Sequence, residues 1–186
     1  QGSAADQLEF LETEIKRRPN QPTTHWAVGP FAPQRCTPEL LAGCGDLAER
    51  HDLGIYIHVY ETRGQIVMAR EAYGDYGGSF INYMAEAGIL NHRLNIAHSV
   101  WIGRDEIDRM AEADAGAVLN HLSNMKLKSG IAPMLDMRDS GMRVALGCDN
   151  CSGSDVQNMF QAMKMYCLLS AVSEPEPGPP LAHEAL

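Results

Sequence analysis

Five times along this chain a short apolar run gives way to a stretch with helical punctuation, and that alternation leaves few folds open. The runs are His25–Val28, residues 54–60, Leu94–Ala97, Ala115–Leu119 and Met142–Leu146. Runs so short, bounded by Gly, Pro and polar residues, suit strands of a sheet buried on both faces. Between them the sequence predicts helices. Thr37 is placed to cap one, with Pro38 at its first position and Glu39 at its positive end, running to about His51. Others are expected over residues 61–73, 79–87, 105–113, 131–140 and 155–171, with Gly-rich 74–78 as a break and Asn120–Asn124 as a polar loop. Residues 173–180 read as a loop and Leu181–Leu186 as the start of a further helix. Strand–helix repetition with right-handed crossovers makes a parallel sheet covered by helices. A closed (β/α)8 barrel takes eight such units and about 250 residues. Five units in 186 residues are an open sheet or a piece of a barrel.

Polar residues punctuate the carboxyl ends of these runs. His58 and Glu61 close the second, His98 the third and Asp149 the fifth. In parallel α/β folds the carboxyl ends of successive strands converge on one rim, where chemistry takes place. Two imidazoles and two carboxylates on such a rim are what a divalent metal and a proton shuttle require.

The chain is long enough for one domain with a real core. Its net charge of -9 argues against a nucleic-acid partner, because phosphate contacts need basic patches. No apolar window has the length of a membrane span, and no signal-peptide pattern opens the chain. Cys36, Cys44, Cys148, Cys151 and Cys167 are an odd set scattered through α/β pattern, which suggests reduced thiols and a cytoplasmic location. The Cys148–Cys151 pair has metal-site spacing but no second pair, so it reads as structural. The Met-rich stripe Met159, Met163 and Met165 reads as core filler.

Four stretches, taken in order, resemble the amidohydrolase superfamily, in its branch of aminohydrolases and chlorohydrolases. They are Ile57-His58-Val59-Tyr60-Glu61-Thr62, Ile96-Ala97-His98-Ser99-Val100-Trp101, Leu122 to Pro133, and Ala145-Leu146-Gly147-Cys148-Asp149. The resemblance spans roughly residues 25–172 and implies an α/β fold, the C-terminal part (strands four to eight) of a metal-dependent (β/α)8 TIM barrel. It further implies that His58 and Asp149 bind a divalent metal, zinc or else iron, and that Glu61 moves protons. By the same resemblance His98 contacts substrate or holds the attacking water or the tetrahedral oxygen, with Asp149 also accepting the water's proton. The implied reaction is hydrolytic deamination of a small N-heterocycle, such as a purine, pterin, pyrimidine or triazine.

The departures from the family pattern are specific. No His-x-His of a first strand occurs in the chain, so two further metal ligands would come from a preceding segment. The expected reading is a partial barrel domain over residues 1–186, truncated at both ends. The family loop His-Asn-Pro-x-Ser-Asn is here Leu119-Asn120-His121-Leu122-Ser123-Asn124, and His121 is taken as a loop residue. Ser123 and Asn124 are expected to fix that loop through backbone hydrogen bonds. Phe31 stands where S-adenosylhomocysteine-type enzymes carry a substrate-binding His, which points to an apolar, flat ring partner stacked on Phe31. A second reading is a catalytically incomplete fragment. Its open edges and an uncovered inner face of Val, Ile and Leu would then drive self-association into a homo-oligomer.

Overall fold

The computed structural model describes residues 2–173 and 182–186. The loop expected across 174–180, and Leu181, lie outside the described residues. Strands β1 (Ala27–Val28), β2 (Gly54–Val59), β3 (Leu94–His98), β4 (Gly116–Leu119) and β5 (Arg143–Leu146) form one sheet in the order β1-β2-β3-β4-β5, every pair parallel. Sequence neighbours are therefore spatial neighbours throughout. Right-handed crossovers between them put the helices on one face. A doubly wound sheet reverses its strand order at a switch point, and this one does not. The arrangement is that of a barrel wall.

The register shows which residues share a face. Tyr56 is level with Asn95, Asn95 with Gly116, and Gly116 with Arg143. One layer higher, His58, Ala97, Val118 and Ala145 are level. These positions look away from the helices, and Tyr56 is 51% exposed. The alternate positions, Ile55, Ile57, Val59, Leu94, Ile96, Ala117 and Leu119, are buried in the core. The expectation of an inner face of Val, Ile and Leu is corrected here. The large aliphatic side chains face the helices, and the helix-free face carries small or polar ones. Asn95 lies across Gly116, where an added Cβ would come within 2.7 Å of its Oδ1.

Helix α1 (Ala4–Arg17), absent from the sequence reading, is closed by a capping box between Ser3 and Asp6. Its Leu8 sits on Gly43 of α2 (Pro38–His51), whose N-cap Thr37 accepts from the Leu40 amide. Then come α3 (Arg63–Ala72), α4 (Phe80–Glu86) and α5 (Arg104–Glu112), close to expectation. The segment Asn120–Asn124 is not a loop: α6 covers His121–Lys126. Helix α7 (Met134–Asp139) starts later than expected because Pro133 disfavours helical backbone in the residue before it. The helix expected over 155–171 begins four residues later, as α9 (Met159–Ser173), and a short α8 (Cys151–Ser154) precedes it, ending where Asp155 takes a positive φ of 65°. Ala182–Ala185 form a 3-10 turn.

Leu41, Leu47, Ile81, Met84, Ile107 and Met110 complete the core over the sheet. Burial of each such side chain contributes about 1.5–3 kcal/mol. Behind the strand ends a polar knot ties three elements together. Tyr60, left-handed at φ 54°, donates to Glu106 Oε1 at 2.6 Å and accepts from the Phe80 amide at 2.8 Å. The Ser79 hydroxyl also donates to Glu106 Oε1, and the Gly103 amide reaches Oε2 at 3.0 Å. Burial, and then the facing carboxylate, push the Tyr60 hydroxyl well above the ordinary phenol range.

Candidate active site

The strand ends that carry the polar residues share a backbone feature. His98, Ser99 and Asp149 are all left-handed, at φ 73°, 54° and 61°. Non-glycine residues rarely adopt this region, and where they do the strain collects at functional sites. Here the turn re-aims side chains at the points where β3 and β5 end.

His58 lies at the end of β2, half-buried. Its Nδ1 is 2.8 Å from the Phe31 carbonyl oxygen, which also accepts from the His58 amide at 3.2 Å. A carbonyl only accepts, so Nδ1 carries the proton and a neutral ring presents a bare Nε2. That is how protein scaffolds orient a metal-binding imidazole. The Phe31 ring is 57% exposed, with its centroid 5.1 Å from that of His58, and Arg35 lies 4.9 Å from the Phe31 centroid. On the other strand His98 is 2% exposed and stacks on His58, with centroids 5.5 Å apart and planes 23° apart. Its Nδ1 is 2.9 Å from Asn124 Oδ1, and its Nε2 is 3.9 Å from Glu61 Oε2.

Asp149 follows β5. The Ser123 hydroxyl donates to its Oδ2 at 2.5 Å and the Asn150 amide to its Oδ1 at 2.7 Å. Burial raises the Asp149 pKa, but hydrogen bonds from Ser123 and then the Asn150 amide to the ionised form lead the opposing effects, and the carboxyl stands below its usual range. Ser123 and Asn124, consecutive in the chain, hold Asp149 Oδ2 and His98 Nδ1 respectively, which puts Asp149 near the stacked imidazole pair. The structure brings His58, His98, Glu61 and Asp149 to one mouth with Phe31 at its margin.

Among the described residues no three or more His, Cys, Asp or Glu side chains lie close enough to hold a metal ion. His58 Nε2 and the Asp149 carboxylate are donors of the right kind for a divalent cation, and they supply part of a three-ligand set. The Cys148–Cys151 pair adds nothing to it, since Cys148 Sγ faces Met159 Sδ at 3.3 Å and Cys151 is exposed.

Three residues are used differently from expectation. Ser123 and Asn124 do not merely fix a loop through the backbone; their side chains reach Asp149 and His98. The sequence signal was present, a Ser-Asn pair just past a strand end, but a polar stretch reads as loop when its helix is this short. His121 is no loop histidine either. It opens α6, 1% exposed, with neither ring nitrogen hydrogen-bonded, and burial lowers its pKa to about 4. Its ring centroid is 6.1 Å from that of Tyr166 on α9.

Fold and rim together define the class: a segment of (β/α)8 barrel wall with acids and imidazoles at its carboxyl end. The chain belongs to the amidohydrolase family, whose sequence profile matches residues 4–183. It is 38% identical over 151 residues to a 5'-deoxyadenosine deaminase of Methanothermobacter thermautotrophicus, covering 81% of this chain and 35% of the relative. Guanine deaminase from C. acetobutylicum, solved with guanine in its active site, matches 100% of the chain and 45% of its own length, at TM-score 0.90 and 19% identity. An adenosine deaminase from Xanthomonas campestris, solved with bound zinc, matches 91% of the chain and 37% of its own length, at TM-score 0.80 and 22% identity. The chain thus spans about a third of the curated relative and under half of either solved barrel. No described helix is long and apolar enough to cross a membrane.

Proposed function

We propose that this chain supplies the carboxyl-terminal half of the active site of a metal-dependent aminohydrolase acting on a purine-type ring. The observation that carries the reading is that Ser123 and Asn124 tie Asp149 and His98 to one short helix, with His98 stacked on a His58 ring that presents a bare Nε2. His58 Nε2 and Asp149 would hold the cation, zinc by analogy with the Xanthomonas enzyme, together with donors from outside this chain. Such a cation lowers the pKa of a water toward neutrality.

The remaining work falls to side chains of this chain. Glu61, whose carboxylate makes no hydrogen bond to the described residues, delivers a proton to a ring nitrogen and then to the departing amine. Asp149 accepts the proton that water gives up. His98 Nε2 faces the same space. Phe31 offers an exposed ring on which a flat heterocycle stacks. The substrate is an adenosine whose 5′ position is small or apolar, a reading supported by the relative named 5'-deoxyadenosine deaminase and by the exposed Phe31 ring. A cytoplasmic setting accords with five free thiols, and open edges at β1 and β5 favour self-association.

Ammonia release tests the reading. Zinc-loaded protein from the complete gene is assayed against 5′-deoxyadenosine, adenosine, guanine and a chlorotriazine. Turnover of 5′-deoxyadenosine above the others is expected. Turnover of guanine or the triazine alone would refute the substrate class, and silence across the panel would refute deamination.

A further inference from the structure

We propose that Asn124 is a positioning residue that holds His98 in its Nδ1–H tautomer. It thereby makes Nε2 a hydrogen-bond acceptor, turned toward the nucleophilic water and not a donor to the developing oxyanion. The inference rests on the aminohydrolase reading for its chemical meaning, but its geometry stands alone.

Asn124 Oδ1 lies 2.9 Å from His98 Nδ1, and both residues are buried, at 0% and 2% exposure. An amide oxygen only accepts, so the ring must donate. The neutral ring then has its lone pair on Nε2. At 3.9 Å, Glu61 Oε2 is near that atom but outside hydrogen-bond range, so a donor shared by the two would sit to one side of the line joining them. A neutral imidazole of this tautomer can receive a proton or hydrogen bond from water; it has none to give an oxyanion. His58 is locked the same way by a backbone carbonyl, so the two stacked rings present matched acceptors.

The Asn124 backbone is pinned, and its side-chain Nδ2 is buried without a partner among the described residues, so the side chain's one hydrogen bond is the one to His98. The backbone N–H of Asn124 donates to the Asn120 carbonyl at 2.9 Å, and its backbone carbonyl accepts from the Ser129 N–H at 2.8 Å. The preceding residue, Ser123, holds Asp149 Oδ2. Consecutive residues of α6 therefore orient site residues delivered by two different strands. With the Asn124 amide reversed, its Nδ2 would face the ring. Nδ1 would then accept and Nε2 would become the donor. The two arrangements differ in one observable.

That observable is the tautomer, read from side-chain nitrogen shifts of the 15N-histidine-labelled chain above the imidazole titration range, without metal or substrate. The expected result is a protonated Nδ1 and bare Nε2 for His98. Asn124→Asp, whose carboxylate can only accept, should keep that pattern. Asn124→Leu should move the Nδ1–H to Nε2–H ratio about tenfold toward Nε2–H, the tautomer a free imidazole prefers. His58 should not change in either variant. A wild-type His98 protonated at Nε2, or an Asn124→Leu spectrum identical to wild type, would overturn the proposal. If Asn124→Leu fails to fold, wild type and Asn124→Asp decide: a protonated Nδ1 on His98 in both supports the proposal, and an Nε2–H, Nδ1-bare ring in either refutes it. A protein that releases no ammonia can still show the Nδ1–H signature, so failure of the activity assay and failure of the tautomer test are separate results.

Discussion

The cluster around Glu106 and the cluster around Asp149 are built from the same parts and end differently. Each centres on a carboxylate bonded by a serine hydroxyl and a backbone amide, close to a left-handed residue at a strand end. Around Glu106 the circle closes: Tyr60, Ser79 and Gly103 donate to it, and the Tyr60 hydroxyl is itself taken by the Phe80 amide. Around Asp149 it stays open. His58 Nε2 and the Glu61 carboxylate make no hydrogen bond within the described residues. A polar network that satisfies itself holds a fold together, whereas one that leaves valences aimed at a shared space is prepared to hold something else.

The contrast breaks most sharply on substitution. In catalytically competent protein, Glu61→Gln should cut ammonia release by about 10²–10⁴-fold, the usual span for a proton-transfer group. It should move the denaturation midpoint by no more than about 0.5 kcal/mol equivalent, as for other solvent-facing changes. Glu106→Ala should do the reverse. It leaves the Tyr60 and Ser79 hydroxyls and the Gly103 amide without their acceptor, at a cost of about 3 kcal/mol in urea unfolding. Equal losses of stability in the two variants would erase the distinction.

Acid tests the helix that carries the site's anchors. His121 has a folded pKa of about 4 against an ordinary 6.5. Between those values the unfolded chain takes up a proton that the folded one refuses. Its contribution is therefore intact above about pH 6.5 and falls by about 3 kcal/mol as pH drops through 4. His121→Gln should flatten that part of the stability–pH curve; an unchanged slope would place its cause elsewhere. The smallest expected effect is Tyr60→Phe, which removes one of the donors to Glu106 and should cost about 1–2 kcal/mol with no change in ligand binding.

Much of the wall was legible in the sequence. Thr37-Pro38-Glu39 marks α2 through capping chemistry alone, and the five apolar runs become the five strands. The rim residues follow from strand ends. What escaped was decided by tertiary contact. The run Gly54–Val59 reads as uniformly buried, yet Tyr56 and His58 face away from the helices, because only register and closure assign the faces. Helix α6 is too short to show a period, and its Ser123 and Asn124 acquire meaning only when β3 and β5 bring His98 and Asp149 against them. Helix α1 bore a capping signal in Ser3 and Asp6, but its apolar stripe is thin without Gly43 of α2 beneath Leu8.

The central claim is that His58 and Asp149 serve one cation. Zinc titrated into the 15N-labelled chain, followed on the His58 ring nitrogens and the Asp149 amide, tests it most directly. Both should respond along one binding curve, with the large shift at His58 Nε2 and not Nδ1, and Asp149→Asn should abolish the His58 response. Independent curves, or a His58 response that survives Asp149→Asn, would contradict the account.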